Sequence, residues 1–286
     1  MATRRRGSLT VMANRHATLG PSSSDIWLTC LGAPAEWRKR PPKRVGFAAH
    51  QGTLAHTLCE AALTVNAVPW KAGASFNVEG DDIEIDDEML NAVQMFAAAT
   101  GSITDVCVWR LVEQEVSLNW MWWGSALIDV FGTLDFAACD GTTLYICDFK
   151  YGRGKGVQVD RNTQLLMYAL GAYDRLKRER PDLAATIENV CLVIVQPRAG
   201  GNPVRSWAIS LGDLLYWGFS TLKPSVDRIV DGVDIPLVAG SHCYFCAASF
   251  DCPTYNDARI RRSIATFPDY DPDLDADVVS LVEEPV

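Results

Sequence analysis

Between residues 48 and 65 the apolar positions recur at helical spacing. Leu54, Leu58, Ala61, Ala62 and Val65 form one stripe, which predicts an amphipathic helix. On that helix His56 and Glu60 are four apart and share a face. Upstream, Ser24 or Asp25 is placed to cap a short helix carrying Ile26, Trp27, Leu28 and Cys30, and Pro41-Pro42 ends any helix that follows. Downstream, a loop through Gly73 and Gly80 leads to a second helix over 86–99, whose acidic start suits a helix N-terminus. The pattern then turns strand-like over 105–118, 125–138 and 143–150, rich in Val, Ile and aromatics and punctuated by Asp140-Gly141. A long helix is expected over 161–179, a short apolar strand over 190–196, a further strand over 206–210 and a last helix over 211–230. The coarse order helix, three strands, helix, strand between 48 and 197 predicts an α/β fold, a mixed sheet flanked by helices. There is no internal repeat.

With 286 residues and 48% hydrophobic content, the chain can bury a sizeable core. Residues 1–24 are polar, basic and Ser-rich and read as a flexible N-terminus, 25–260 as one domain, and 261–286 as an acidic tail. No apolar run is long enough to span a membrane. The basic start lacks the apolar segment of a signal peptide, so a cytoplasmic protein is expected. The net charge of −9 argues weakly against a nucleic-acid binder, but its distribution changes the picture. Residues 38–44 read Arg-Lys-Arg-Pro-Pro-Lys-Arg, and Asp alternates from Asp269 to Asp277, although such runs are more often solvated segments than sites. Nine cysteines in a reducing compartment point to metal or redox chemistry where they cluster. Cys59, Cys107, Cys139, Cys147 and Cys191 lie in apolar contexts and are expected to be buried thiols.

Two constellations carry chemistry. The first is Gly132-Thr-Leu-Asp135 followed by Asp148-Phe-Lys150. In a strand, residues i and i+2 share a face, so Asp148 and Lys150 project together while Phe149 turns into the core; Asp135 on a neighbouring strand reaches the same place. Two carboxylates can hold Mg²⁺ or Mn²⁺, and a Lys beside them can stabilise charge on a phosphorane. A D-x-K tripeptide alone is more often a surface ion pair. Gln164 and Tyr168 on the next helix share a face, and His56 lies on a helix that can line the same cleft, four residues after Gly52, read as permitting close approach. Glu113 and Glu115 are further acids, with nothing to choose between them. The second constellation is Cys243-x-x-Cys246-x5-Cys252-Pro253. Three thiolates at this spacing suit zinc or an iron–sulfur cluster given a fourth ligand. His242 is poorly placed, and Cys30 is the better candidate.

Taken in order, Gly52…His56, Gly132-Thr-Leu-Asp135, Asp148-Phe-Lys150 and Gln164-x-x-x-Tyr168 resemble the RecB-type nuclease domains of the PD-(D/E)xK superfamily, over roughly residues 26–255. The resemblance is nearest to phage-encoded relatives of the CRISPR-associated iron–sulfur exonucleases. The run Asp148-Phe-Lys-Tyr-Gly-Arg-Gly-Lys155 also resembles a domain family of unassigned function common in prophages. One departure is Asp148, where many relatives carry Glu. The resemblance implies a restriction-endonuclease-like core with an iron–sulfur-stapled helical region. It implies metal held by His56, Asp135, Asp148 and the Phe149 carbonyl, a catalytic Lys150 supported by Gln164 and Tyr168, and a [4Fe–4S] cluster on Cys30, Cys243, Cys246 and Cys252 in place of zinc. The function it implies is a Mg²⁺- or Mn²⁺-dependent exonuclease acting on DNA ends or single strands in phage recombination, replication or repair, in the host cytoplasm, as a homo-oligomer. Arg38–Arg44, Arg153 and Lys155 would track phosphates, and Trp27, Trp37, Trp120, Trp122 and Trp123 would offer stacking surfaces. The rival readings are an inactive DNA-binding module of the same fold and an iron–sulfur redox or sensing protein.

Overall fold

The computed structural model describes residues 17–41, 45–122, 129–154 and 156–266. A helical turn at Pro21–Ser23 runs into α1 (Ser24–Thr29), so Ser23, and neither Ser24 nor Asp25, occupies the cap position; α2 (Ala33–Arg38) follows. The amphipathic stripe forms α3 (Phe47–Val65), closed by Asn66 in the left-handed conformation. Where a loop was expected, β1 (Ser75–Val78) and β2 (Asp81–Glu84) make a hairpin. Its two-residue turn, Glu79-Gly80, has φ of 50° and 101°, the twist that matches paired strands. Next is α4 (Asp87–Thr104), capped by the Asp86 carboxylate on the Met89 N–H at 2.7 Å and one turn longer than the acidic start suggests. Then come β3 (Trp109–Ser117), β4 (Phe131–Cys139), β5 (Thr143–Phe149), α5 (Thr163–Glu179), α6 (Pro181–Ala184), β6 (Asn189–Val195) and β7 (Val204–Ser210).

The expected last helix is broken into α7 (Leu211–Trp217), a wide turn over Gly218–Leu222, and α8 (Lys223–Asp231). Pro224 has no N–H to return to the preceding turn, and the chain widens there instead of kinking. A final helix, α9 (Pro253–Thr266), continues past the expected domain limit at 260. Residues 269–277, the acidic run, lie outside the described residues, as do Pro42, Lys43, Arg44, Trp123 and Lys155. Among the described residues no helix is long and apolar enough to cross a membrane.

The main sheet has the order β3-β4-β5-β6-β7, antiparallel except for the parallel pair β5–β6 that α5 connects. It is a mixed sheet with helices on both faces. On one face, Leu144, Ile146, Leu192 and Ile194 pack with α5, α7 and Trp27 of α1. On the other, Phe136, Cys147, Phe149 and Val193 pack with α3, α4 and the hairpin. Side chains along β5 therefore alternate between two cores, and this alternation aims Asp148 away from Phe149. Gly132 is required by packing: a Cβ there would lie 2.8 Å from Pro21 and 3.2 Å from the Tyr168 ring.

Candidate functional site

The register Phe136↔Cys147, carried one step further, sets Asp135 opposite Asp148. Both are buried, 8% and 3% exposed, and burying a carboxylate is costly unless it is paired. Each has found partners of a different kind. Asp135 accepts the Phe149 N–H at 2.6 Å and lies 3.3 Å from His56 Nδ1. Asp148 lies 3.0 Å and 3.3 Å from Lys150 Nζ and accepts the Gln164 amide N–H at 3.1 Å. Lys150 in turn donates to Gln164 Oε1 at 2.8 Å, and Gln164 donates to the Tyr168 hydroxyl at 3.4 Å. His56, Asp135, Asp148, Lys150, Gln164 and Tyr168 thus meet in one place. Phe149 supplies its N–H to Asp135 and its ring to His56, 5.3 Å away edge-on; its carbonyl as a ligand rests on the resemblance.

Glu113, not Glu115, belongs to this group. Its carboxylate stands 3.8 Å from His56 Nδ1, whereas Glu115 is exposed. Glu113 has a φ of 45° and falls where the β3–β4 register skips the residue opposite Asp135. A left-handed non-glycine inside a strand costs about 1 kcal/mol or more. That strain accompanies a convergence: ligand atoms of His56, Glu113 and Asp135 all lie within 4.8 Å of one another. Two carboxylates and an imidazole suit Mn²⁺ or Mg²⁺. Asp148 Oδ2 adds to the fit, being buried with no hydrogen bond of proper geometry despite the nearby ammonium. Gly52 plays no part: a Cβ there would meet nothing within 4 Å, so close approach is not why glycine stands before His56.

The protonation states follow from burial and neighbours. Burial pushes the His56 pKa down, but the Asp135 and Glu113 carboxylates outweigh it and raise it to about 10. Burial pushes Asp135 up, and His56 with the Phe149 N–H brings it below the usual carboxylate range. Asp148 and Glu113 are held above that range, chiefly by burial with Asp135 close by. Lys150 would lose its proton to burial, yet Asp148 and Asp135 raise its pKa and keep the ammonium. Burial raises the Tyr168 pKa and keeps the phenol protonated.

The cysteines also converge. Cys30, Cys243, Cys246 and Cys252 line one cavity together with Leu237, Val238 and Ala248. Three sulfurs accept N–H groups: Cys30 from Val238 at 3.4 Å, Cys243 from Gly240 at 3.4 Å and Cys246 from the Trp37 indole at 3.3 Å. N–H groups aimed at sulfur are what a metal-bound thiolate is given by its surroundings, although burial holds the Cys243 thiol above its ordinary pKa. His242 also lines this cavity, its Nε2 3.0 Å from the Val238 carbonyl and 3.6 Å from Cys243 Sγ. Among the remaining thiols, Cys59, Cys139 and Cys147 are buried as expected. Cys107 and Cys191 are only half-buried, because each lies on the outer margin of its core.

Four of the five tryptophans expected to offer stacking surfaces are engaged within the protein, and the fifth, Trp123, lies outside the described residues. Trp27 and Trp122 are buried, their indole N–H groups held by the Gly20 carbonyl and by Asp227. Trp37 is committed to Cys246, and Lys177 covers the Trp120 ring at 4.5 Å. In the basic run, Lys39 and Arg40 pair with Glu36 and Asp251, and Arg153 pairs with Glu88.

A sequence model of the family described as "Protein of unknown function (DUF2800)" matches residues 16–281. A solved structure titled "Crystal structure of SSO0001" matches at 16% identity, covering 59% of this chain and 76% of that one with a TM-score of 0.28. At that score the likeness carries no argument.

Proposed function

The chain belongs to the DUF2800 family, and from that premise we propose that it is a metal-dependent nuclease hydrolysing DNA phosphodiester bonds, with a PD-(D/E)xK-type site. The observation that carries the reading is the meeting of the His56–Glu113–Asp135 donor set with the Asp148–Lys150–Gln164 network. His56, Glu113, Asp135 and Asp148 are the residues to hold Mg²⁺ or Mn²⁺. When bound, such an ion supplies Lewis acidity toward a phosphate oxygen and makes a water more acidic. Lys150, kept as an ammonium, faces the negative charge that grows on phosphorus-bound oxygens. Gln164 holds Lys150 with its carbonyl and Asp148 with its amide N–H, so both charged groups are oriented before substrate arrives. Tyr168 stays neutral beneath Gln164 and fixes its rotamer.

The four cysteines are assigned to a structural centre, a [4Fe–4S] cluster or zinc, joining α1 to the segment before α9. Iron content with visible absorbance identifies the cluster; zinc content without colour identifies the alternative. The test of the main reading is incubation with end-labelled single- and double-stranded DNA in Mg²⁺, Mn²⁺ or EDTA, alongside Lys150→Ala. Cleavage that needs metal and Lys150 is the expected result. No cleavage with either metal, or equal cleavage by the variant, would falsify the reading.

A further inference from the structure

Beside Lys150 and Gln164 opens a cavity of about 400 Å³ whose walls come from residues 21–25 and 157–163. Ser24 Oγ and Thr163 Oγ1, 2.7 Å apart, close the wall between α1 and α5. A cavity of this size accommodates a ligand at the small end of the usual range, about 300–1,000 Å³, comparable to one nucleotide of a strand. Its charges are telling. Asp25, Asp160 and Arg161 line it, are exposed, and make no ion pair among the described residues; Lys150 at its floor is already engaged by Asp148. Lys150 faces the phosphodiester to be cut, and the charges left in the pocket, Arg161 against Asp25 and Asp160, sum to −1. The two carboxylates oppose a terminal phosphate monoester, which carries roughly −1.5 to −2 at neutral pH, and they accept hydrogen bonds from a hydroxyl.

We propose that this cavity is an end pocket that seats the last nucleotide of a single DNA strand and admits a strand ending in a hydroxyl while rejecting one ending in a phosphate. The inference rests on the nuclease reading of the adjoining site. It also constrains the products. Water adds to phosphorus, the P–O bond on the side of the remaining strand breaks, and the departing oxygen takes a proton. The released nucleotide keeps the phosphate, and the strand is left with a hydroxyl end that enters the pocket again.

The experiment uses the full-length protein and fluorescent oligonucleotides that carry a hydroxyl or a phosphate at the 5′ end or the 3′ end. Binding is read by anisotropy in EDTA, where metal-dependent hydrolysis is stopped. A repulsion between unit charges about 6 Å apart is worth about threefold in affinity in bulk water and about a hundredfold at the dielectric near a protein surface, and the exposed carboxylates of an open pocket fall between the two. Hydroxyl-ended strands at one of the two termini are therefore expected to bind about tenfold more tightly, and Asp25→Asn with Asp160→Asn to remove the difference. With Mn²⁺ added, the same preference is expected in cleavage rate, and a closed circular single strand is expected to resist. Equal binding of both ends, tighter binding of phosphate ends, or cleavage of the circle at the linear rate overturns the end pocket. If no DNA is cleaved at all, the nuclease reading falls while the binding comparison still decides whether the pocket selects strand ends.

Discussion

Replacing Cys30 by Ser is expected to remove about 5 kcal/mol of unfolding free energy if a shared centre joins the two ends of the domain. Cys30 ends α1, and Cys243 follows roughly 210 residues later. A crosslink over that span removes about 18 cal/mol/K from the unfolded ensemble, or about 5 kcal/mol at 25 °C. Against a typical total of about 5–15 kcal/mol, this is a large share of the stability. The control is Cys59→Ala in α3. Cys59 is buried like Cys30, at 2% against 5% exposure, but does not line the cysteine cavity, and trimming one sulfur from a packed core costs about 1 kcal/mol. Urea unfolding under anaerobic conditions, followed by tryptophan fluorescence, measures both losses. Trp37 reports locally because its indole meets Cys246. If Cys30→Ser loses no more than Cys59→Ala and retains its full metal content, the ends are not stapled and the cysteine assignment is wrong.

Three further outcomes follow from the geometry of the candidate site and the proposed chemistry. Asp135→Asn, Asp148→Asn and Lys150→Ala are each expected to slow metal-dependent cleavage by about a hundred- to a thousandfold; circular dichroism checks that the fold is kept. Glu113→Gln is expected to weaken Mn²⁺ binding by about 10- to 100-fold, as loss of a ligand or its support does, while Glu115→Gln leaves it unchanged by titration calorimetry. For His56, with a folded pKa raised to about 10 from 6.5, the imidazolium stabilises the metal-free protein fully below about pH 6.5. That contribution is lost as pH rises through about 10. Its size is discounted because the ring is 36% exposed to screening solvent. Because a ligating imidazole must shed its proton, Mn²⁺ affinity is expected to rise with pH over the same window; a His56→Asn protein whose pH slope matches the wild type would show that another group governs it.

Much of the site was legible because strand periodicity is simple. Once Asp148 and Lys150 lie two apart and Phe149 between them is apolar, the pleat alone sends the charged pair one way and the ring the other. The hairpin at 75–84 was missed although Phe76, Val78, Ile83 and Ile85 alternate as a hairpin requires. The acidic residues between them, and a turn written Glu-Gly instead of Asn-Gly, weakened the pattern. Glu113 was undecidable from sequence for a deeper reason. In a regular strand Glu113 and Glu115 share a face and are equivalent. The left-handed φ at Glu113 breaks that equivalence, and nothing in a Val-Glu-Gln-Glu-Val run announces it. The strained residue lies where β3, β4 and α3 bring His56, Asp135 and Glu113 together in three dimensions. Stacking by Trp27 and Trp122 failed for the opposite reason: large aromatics are visible in any sequence, yet these two are absorbed by the core that holds α1 and α8 in place. The exposed rings among the described residues include Tyr244, Phe245 and Phe250 inside the cysteine segment, and Phe47, Tyr216 and Phe219 outside it. Spacing rules capture residues that act through a regular element; those that act through a bulge, a cavity or a packed junction become readable only when the elements are assembled.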